Sequence, residues 1–397
     1  MDQPPSIATS SPRVALVHDF LLDMRGAERV FLELCELWPD ADVFTTVYDE
    51  AGTEGRFAHR SVHTSFLQRL RLSSGTFRAL LPLYPAAIES FDLSGYDLVI
   101  SSSSAWAHAV LCGEGTVHVS YCHNPFRYAW SDRHGTLGRR RDPISRAVLG
   151  RLFSRWRQWD WIAAQRTDRY VANSHATQER IRTYFGREST VVYPPVNLDR
   201  FTPGPVGDHY VVVSELMPHK QIHLAVAAFN QLRRPLVVVG DGPESRRLRR
   251  MAGPTISFTG RATDAQVQQL VSSARAMVVT SIEEFGIAAV ESQAAGRPVI
   301  AQRGGGTLET VLDGVTGCFW SGGAAQLAAA VEAFDDAAVT SEACVRNAAR
   351  FGRAQFHRAL MAEVRAAQEA SALAPGHEHR GPAPARLVRR AGQATHH

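Results

Sequence analysis

Lysine is almost missing from this 397-residue chain: among 43 Lys and Arg, only Lys220 is a lysine. Cysteine is scarce as well. The five thiols Cys35, Cys112, Cys122, Cys318 and Cys344 are odd in number, scattered and without a CxxC pair. That excludes a disulfide framework or zinc site and predicts reduced, cytosolic thiols. No apolar run nears the roughly 20 residues that cross a bilayer, which excludes an integral membrane protein. The opening MDQPPSIATSSP lacks a basic n-region and an apolar h-region, so no secretory signal is expected. A net charge of +4 is too small to argue for nucleic acid, and 45% hydrophobic residues exclude a disordered, collagen-like or coiled-coil chain. An arginine bias this strong fits a GC-rich genome and empties most basic positions of meaning. A lysine that survives it is either chance on a solvated surface or a site that needs a compact ammonium.

What is present is alternation. Short β-branched runs such as RVALVHDF (13–20), ADVFTTVY (41–48), YDLVISSS (96–103), TVHVSYCH (116–123) and RYVANS (169–174) are separated by amphipathic stretches. After a Pro/Gly-rich stretch at 194–209 the pattern restarts with YVVVSEL (210–216), PLVVVG (235–240), ISFTG (256–260), AMVVTS (276–281) and PVIAQ (298–302). This predicts an α/β chain of βαβ units with parallel sheets covered on both faces. The expected organisation is a tail at 1–12, one Rossmann-like domain at 13–204, a second at 205–350, a helix at 351–370 crossing back to the first, and a low-complexity tail at 371–397. Two such halves place a ligand in the central cleft between their strand C-termini.

The sharpest string is SIEEFGIAAVE (281–291). A strand ends at Ser281, a loop carries two carboxylates, and Gly286 opens a helix whose first amides and macrodipole favour a phosphate. Carboxylates beside a diphosphate need another purpose, such as accepting hydrogen bonds from sugar hydroxyls. Glutamates placed to stabilise a helix N-terminus are the plain alternative, and they do not explain the whole string.

The E-x7-E spacing of Glu283 and Glu291, its EEFGIAAVE context and the following AAGRPVIA…GGGTLETVLDGVTG resemble retaining family-4 glycosyltransferases of GT-B fold. VHDFLLDMRGAERV (17–30), YCHNPFRYAWSD (121–132), RYVANSHATQERI (169–181) and VVYPPVNLDRF (191–201) narrow the resemblance to WbaZ-type mannosyltransferases, over residues 13 to 360 or so. The resemblance implies that Glu283 contacts the transferred sugar and Glu291 the nucleotide ribose. It implies that the amides of Phe285, Gly286 and Ile287, with Gly305, Gly306 and Arg261, serve the donor, and that Lys220 stabilises charge on the leaving diphosphate. His123 is expected beside the transferred sugar as donor or acceptor. His18, Asp19, Arg25, Gly26 and Arg127 are expected at the acceptor or cleft.

Two positions depart from the pattern. Glu215 stands where the family commonly has a phosphate-binding Arg, which leaves that cation to Arg303, Arg261 or Lys220 alone. Arg25 replaces the first of a usual Gly-Gly pair, where it either narrows the approach or supplies the missing charge. No DxD cluster or metal-spaced His/Cys set appears, so neither a metal nor a cofactor is expected.

Residues 134–169 hold nine Arg against three Asp, and Val148, Leu152, Trp156, Trp159 and Ala163 recur at helical spacing. The alternatives are an interfacial helix that binds anionic lipid through 139–157 and a helix packed on its sheet with a solvated basic face. The function expected is retaining transfer of a hexose, mannose from GDP-mannose, to a glycan or lipid-linked glycan in surface polysaccharide or glycolipid assembly, at the cytoplasmic membrane face and without nucleic acid. Rival readings are a sugar-nucleotide epimerase or phosphorylase on the same fold, and a non-catalytic Arg-rich nucleic-acid or scaffold protein.

Overall fold

The computed structural model describes residues 12–70, 76–138, 142–334 and 338–373. The expected tails, apart from their inner ends, and Arg139, Arg140 and Arg141 lie outside them.

Seven strands form the first sheet: β1 (Val14–His18), β2 (Asp42–Thr45), β3 (Val62–Thr64), β4 (Leu98–Ser103), β5 (Val117–Cys122), β6 (Arg169–Ala172) and β7 (Ser189–Val191), in the order 3-2-1-4-5-6-7. Six form the second: β8 (Tyr210–Val213), β9 (Leu236–Val239), β10 (Ile256–Gly260), β11 (Met277–Val279), β12 (Val299–Gln302) and β13 (Gly317–Trp320), in the order 10-9-8-11-12-13. The strand pairings within both sheets are parallel. In each, strand order reverses beside the first strand, so each sheet opens a crevice at its strand C-termini. The short strands β3 and β7 are too brief to carry an alternation that periodicity can detect.

Helices cover both faces. In the first domain these are α1 (Gly26–Leu37), α2 (Tyr84–Glu89), α3 (Arg133–Gly138), α4 (Pro143–Ala164) and α5 (His175–Phe185). In the second they are α6 (Ile222–Leu232), α7 (Ser245–Met251), α8 (Asp264–Ser272), α9 (Ile287–Ala294), α10 (Thr307–Thr310), α11 (Ala324–Ala333) and α12 (Ser341–Ala348). Helix α1 shows the local logic. Val30, Phe31, Leu34 and Cys35 recur at helical spacing and are buried, and the Glu28 carboxylate returns to accept the Arg25 amide at 3.2 Å, closing the first turn.

The last helix, α13 (Arg353–Leu373), leaves the second domain at Gly352. Phe351 packs with second-domain residues, whereas Phe356, Leu360, Val364 and Ala367 are buried among Leu16, Ile100, Val119 and Tyr121 of the first. Burying each large apolar side chain is worth about 1.5–3 kcal/mol, so this return fastens the two domains through the core.

Helix α4 divides the two readings of its stripe. Leu152, Trp156, Trp159 and Ala163 pack against the first-domain core, with Trp156 only 6% exposed, so most of the expected lipid-facing stripe is core. Val148 departs from it and stands in solvent with Ile144. No helix among the described residues is long and apolar enough to cross a membrane.

Candidate active site

The crevices of the two sheets face each other across a cleft of about 1060 Å³. Its second-domain wall begins where β11 ends. Burial alone would push the Glu283 carboxyl up, but Lys220, with Nζ 2.8 and 2.6 Å from its two oxygens, and the Ser281 hydroxyl hold it below the usual carboxylate range. Lys220 is itself fixed by its backbone, because Thr280 Oγ1 donates to its carbonyl at 2.7 Å. The pair is thus set by two loops that follow neighbouring strands. Lys220, Glu283, Phe285, Gly286 and Ile287 all line the cleft.

Gly286 caps α9 with φ +93, a conformation that an L side chain rarely adopts. The first amides of α9 have no intrahelical partner and open towards the cleft. Behind this loop, Gly306 packs so closely that a Cβ would lie 2.3 Å from the Phe285 Cα, and its amide donates to the Glu283 carbonyl at 2.8 Å. Gly305 and Gly306 therefore sit behind the cleft wall, where they shape the Glu283 loop. They were expected to touch the donor directly; neither lines the cleft, and both pack behind the residues that do.

Glu291 lies one turn into α9, half-buried, with Arg200 Nη1 at 3.6 Å. Burial raises its carboxyl above the usual range despite Arg200 and Arg29. Glu284 points across the cleft instead and accepts from Arg127 and, at 3.3 Å, from Arg180 of the first domain. Arg127 is therefore committed to Glu284 within the cleft.

Arg25 crosses the cleft in the opposite direction. Its guanidinium donates to Asp23 at 2.8 Å and to Glu215 at 3.1 Å. Burial opposes its charge, but Glu215 and Asp23 outweigh that and raise its pKa further. Gly26 follows directly against α9: a Cβ there would lie 3.2 Å from Ile287 Cδ1. Of the cations proposed to replace the usual Arg, Arg261 lines the cleft edge and reaches Asp23 at 3.3 Å, while Arg303 turns to Asp313 at 2.8 Å. Arg303 has no place in the cleft wall.

On the first-domain wall, His123 lines the cleft. Burial, then the neighbouring His18, pushes it down to about 3, so it is neutral at ordinary pH. His219, beside Lys220, is pushed down to about 4 by burial and then by Arg127 and Lys220. Asp19 lies away from the cleft where it was expected. Its carboxylate accepts four backbone amides, from Ser104 to Ala107, at 2.5–3.0 Å, which consumes its acceptor capacity in holding the loop after β4. His18 is likewise buried behind the wall, 1% exposed and stacked on Phe31. Neither lines the cleft. Sequence reasoning missed Glu284, Arg180, Arg200 and His219; each lies in a quoted motif or beside a chosen residue, but its partner comes from the opposite domain or a distant loop.

Residues 24–200 match the family described as Glycosyltransferase Family 4, and residues 207–335 match Glycosyl transferases group 1. The chain is 33% identical over 220 residues to a GDP-mannose-dependent alpha-(1-6)-phosphatidylinositol monomannoside mannosyltransferase of Mycolicibacterium smegmatis, covering 47% of this chain and 56% of that protein. It is 29% identical over 234 residues to a D-inositol 3-phosphate glycosyltransferase of Mycobacterium bovis, covering 50% and 49%. The matches thus span about half the length of these curated relatives. In structure it is similar to Anabaena Alr3699/HepE in complex with UDP-glucose, with TM-score 0.67, 19% identity and 89% and 99% of the chains covered. It is also similar to sucrose-phosphate synthase from Thermosynechococcus elongatus, with TM-score 0.69, 18% identity and 90% and 100% covered. These two likenesses establish the fold.

Proposed function

The chain belongs to the family-4 and group-1 glycosyltransferases of GT-B fold, and from that premise we propose that it moves a hexose, mannose from GDP-mannose, onto a glycan or lipid-linked glycan with retention. The observation that carries this reading is the Lys220–Glu283 pair at the start of α9 inside the interdomain cleft. An ammonium and a row of helix amides meet a diphosphate, while the carboxylate accepts from sugar hydroxyls. Glu291 serves the ribose, and Arg25, held by Asp23 and Glu215, supplies the phosphate cation that Glu215 cannot.

In the proposed reaction the bond between C1 and the diphosphate oxygen breaks as the acceptor oxygen bonds C1 on the same face. The acceptor proton passes to the departing phosphate. Lys220 and the α9 amides stabilise the charge that develops there, the kind of fixed electrostatic support that dominates many catalysed steps. Glu283 and Glu291 are therefore no glycosidase pair. A thermal-shift series with GDP-mannose, UDP-glucose, GDP and UDP tests the donor, because a ligand bound only by the folded state raises its stability by mass action. The expected result is the largest shift with GDP-mannose; no shift with any of them would remove the reading.

A peripheral location on the cytoplasmic membrane face completes the proposal. Its support is the solvent-exposed Ile144 and Val148 beside Arg146, Arg151 and Arg155 on α4. Each basic group near an anionic surface contributes about 1 kcal/mol, so Arg146, Arg151 and Arg155 changed together to Gln should cut binding to acidic vesicles roughly a hundredfold. Binding indifferent to salt and to those changes would leave α4 a packed helix with a solvated face.

A further inference from the structure

Behind the cleft wall, two buried hydrogen bonds link His18 to His123 through Ser102, and a longer polar contact joins His18 to Glu28 at the start of α1. His18 and Ser102 are paired in register across β1 and β4, and Ser102 stands opposite Tyr121 of β5, two residues before His123. Ser102 Oγ lies 3.1 Å from His18 Nδ1 and 2.9 Å from His123 Nε2. At the far end, His18 Nε2 is 3.8 Å from Glu28 Oε1. Ser102 is fully buried, His18 is 1% and Glu28 4% exposed, so solvent does not relieve a mismatch between these groups.

A hydroxyl has one proton, so Ser102 can donate to only one of the two rings and must accept from the other. When His18 carries a single ring proton, the nearby Glu28 carboxylate favours that proton on Nε2, which leaves Nδ1 bare. Ser102 then donates to His18 Nδ1 and accepts from His123 Nε2–H. We propose that Ser102 is a positioning residue which, with Glu28 and His18, fixes His123 as the Nε2–H tautomer, so that its Nδ1 meets the cleft as an acceptor and never as a donor. His123 then orients a hydroxyl of the transferred hexose by taking its proton in a hydrogen bond; this consequence rests on the donor reading above, whereas the tautomer does not. The neighbouring serines of β4 give the contrast. Ser101 pairs with His118 and Ser103 with His108, and His108 turns to Asp160, away from the cleft.

The test uses the full chain labelled with 15N-histidine. Long-range 1H–15N correlations separate the two neutral tautomers, and the His123 signals are those lost in His123→Gln. The expected pattern is a protonated Nε2 and a bare Nδ1. Ser102→Ala should give a tautomer mixture and a loss in kcat of about tenfold at little-changed donor KM, the size of one buried hydrogen bond. Ser102→Thr should restore both. Where Ser102→Ala does not fold, Glu28→Ala approaches these contacts from their other end and should release the tautomers of His18 and His123 together. A protonated Nδ1 in the wild-type protein, or His123 signals unmoved by Ser102→Ala or Glu28→Ala, overturns the proposal. Absence of transfer with every donor, beside the expected tautomer, counts against the donor reading and leaves the positioning role standing.

Discussion

The two walls of the cleft hold their polar groups by opposite means. The second-domain wall is ionic: Lys220 and Glu283 meet directly, each side chain 19% exposed, on loops that follow β8 and β11. The first-domain wall is neutral at its centre, where His123 leans on Ser102 and His18 across three strands. Under the proposed function, charge suits the wall where a diphosphate departs, because fixed charges act strongly there once water is excluded. Neutral groups suit the place where a sugar is oriented, since they can be buried without a counterion and still discriminate donor from acceptor.

The hardest way to break this contrast is to remove the ionic wall's cation. Lys220→Ala leaves the Glu283 carboxylate without its cation, and because both side chains are half-buried the cost stays below the roughly 3–5 kcal/mol of a fully buried pair. Transfer should fall by roughly 100–1000-fold, as for other lost transition-state contacts, and urea unfolding should show the stability loss. Adding Glu283→Gln to Lys220→Met should return most of the stability and none of the transfer. Stability regained together with activity would mean the pair is only structural.

The neutral wall breaks in acid. His123 and His118 are each pushed down to about 3 by burial, from an ordinary 6.5. Between those values the unfolded chain binds a proton that the folded chain refuses, so their contribution is complete above about pH 6.5 and is lost progressively as pH falls towards 3. At about pH 5 the loss is about 2 kcal/mol per histidine. The carboxylate of Glu283, held below its ordinary 4.5, does not titrate in that upper window. Chemical denaturation between about pH 7 and pH 5 should therefore show a steep decline that His123→Gln makes shallower. An unchanged slope in that variant would show that His123 is not the neutral buried group described.

The same contrast explains what the sequence disclosed. The ionic wall is written in consecutive residues after one strand, which disclosed Glu283 and Gly286, plus one lysine conspicuous by its rarity, and the family resemblance supplied the role expected of each. The alternation of apolar runs likewise disclosed both sheets, because strands covered on two faces must be nearly continuous in Val and Ile. The neutral wall is written across β1, β4 and β5. Which of Ser101, Ser102 and Ser103 meets a cleft histidine depends on register, and register follows from pairing rather than from composition. Asp19 failed for the same reason: its four amide partners lie some 85 residues away, on a loop whose approach no local pattern announces. The glycines behind the Glu283 loop were recognised by motif, yet their task is close packing, which only three-dimensional neighbours define.

The smallest effect lies where the walls touch. Arg25 belongs to the first domain but is held by Glu215 of the second, and their side chains are 37% and 33% exposed. At that exposure the ion pair itself contributes little to stability, about 0–1 kcal/mol after screening. Under the proposed function its value is placement of a cation near α9, where Gly26 meets Ile287. Arg25→Gly should weaken donor affinity about tenfold, roughly 1.4 kcal/mol, by leaving Glu215 facing the diphosphate uncompensated. Glu215→Arg alone sets two guanidinium groups side by side, with Asp23 their nearest carboxylate. The double variant, Arg25→Gly with Glu215→Arg, moves the cation from one wall to the other and should recover most of the lost affinity. That recovery is a coupling between residues in contact, which a double-mutant cycle on the donor dissociation constant measures directly. A double variant no better than Arg25→Gly would mean that the position of the charge matters more than its presence, and that Arg25 acts by holding the domains together rather than by meeting the donor.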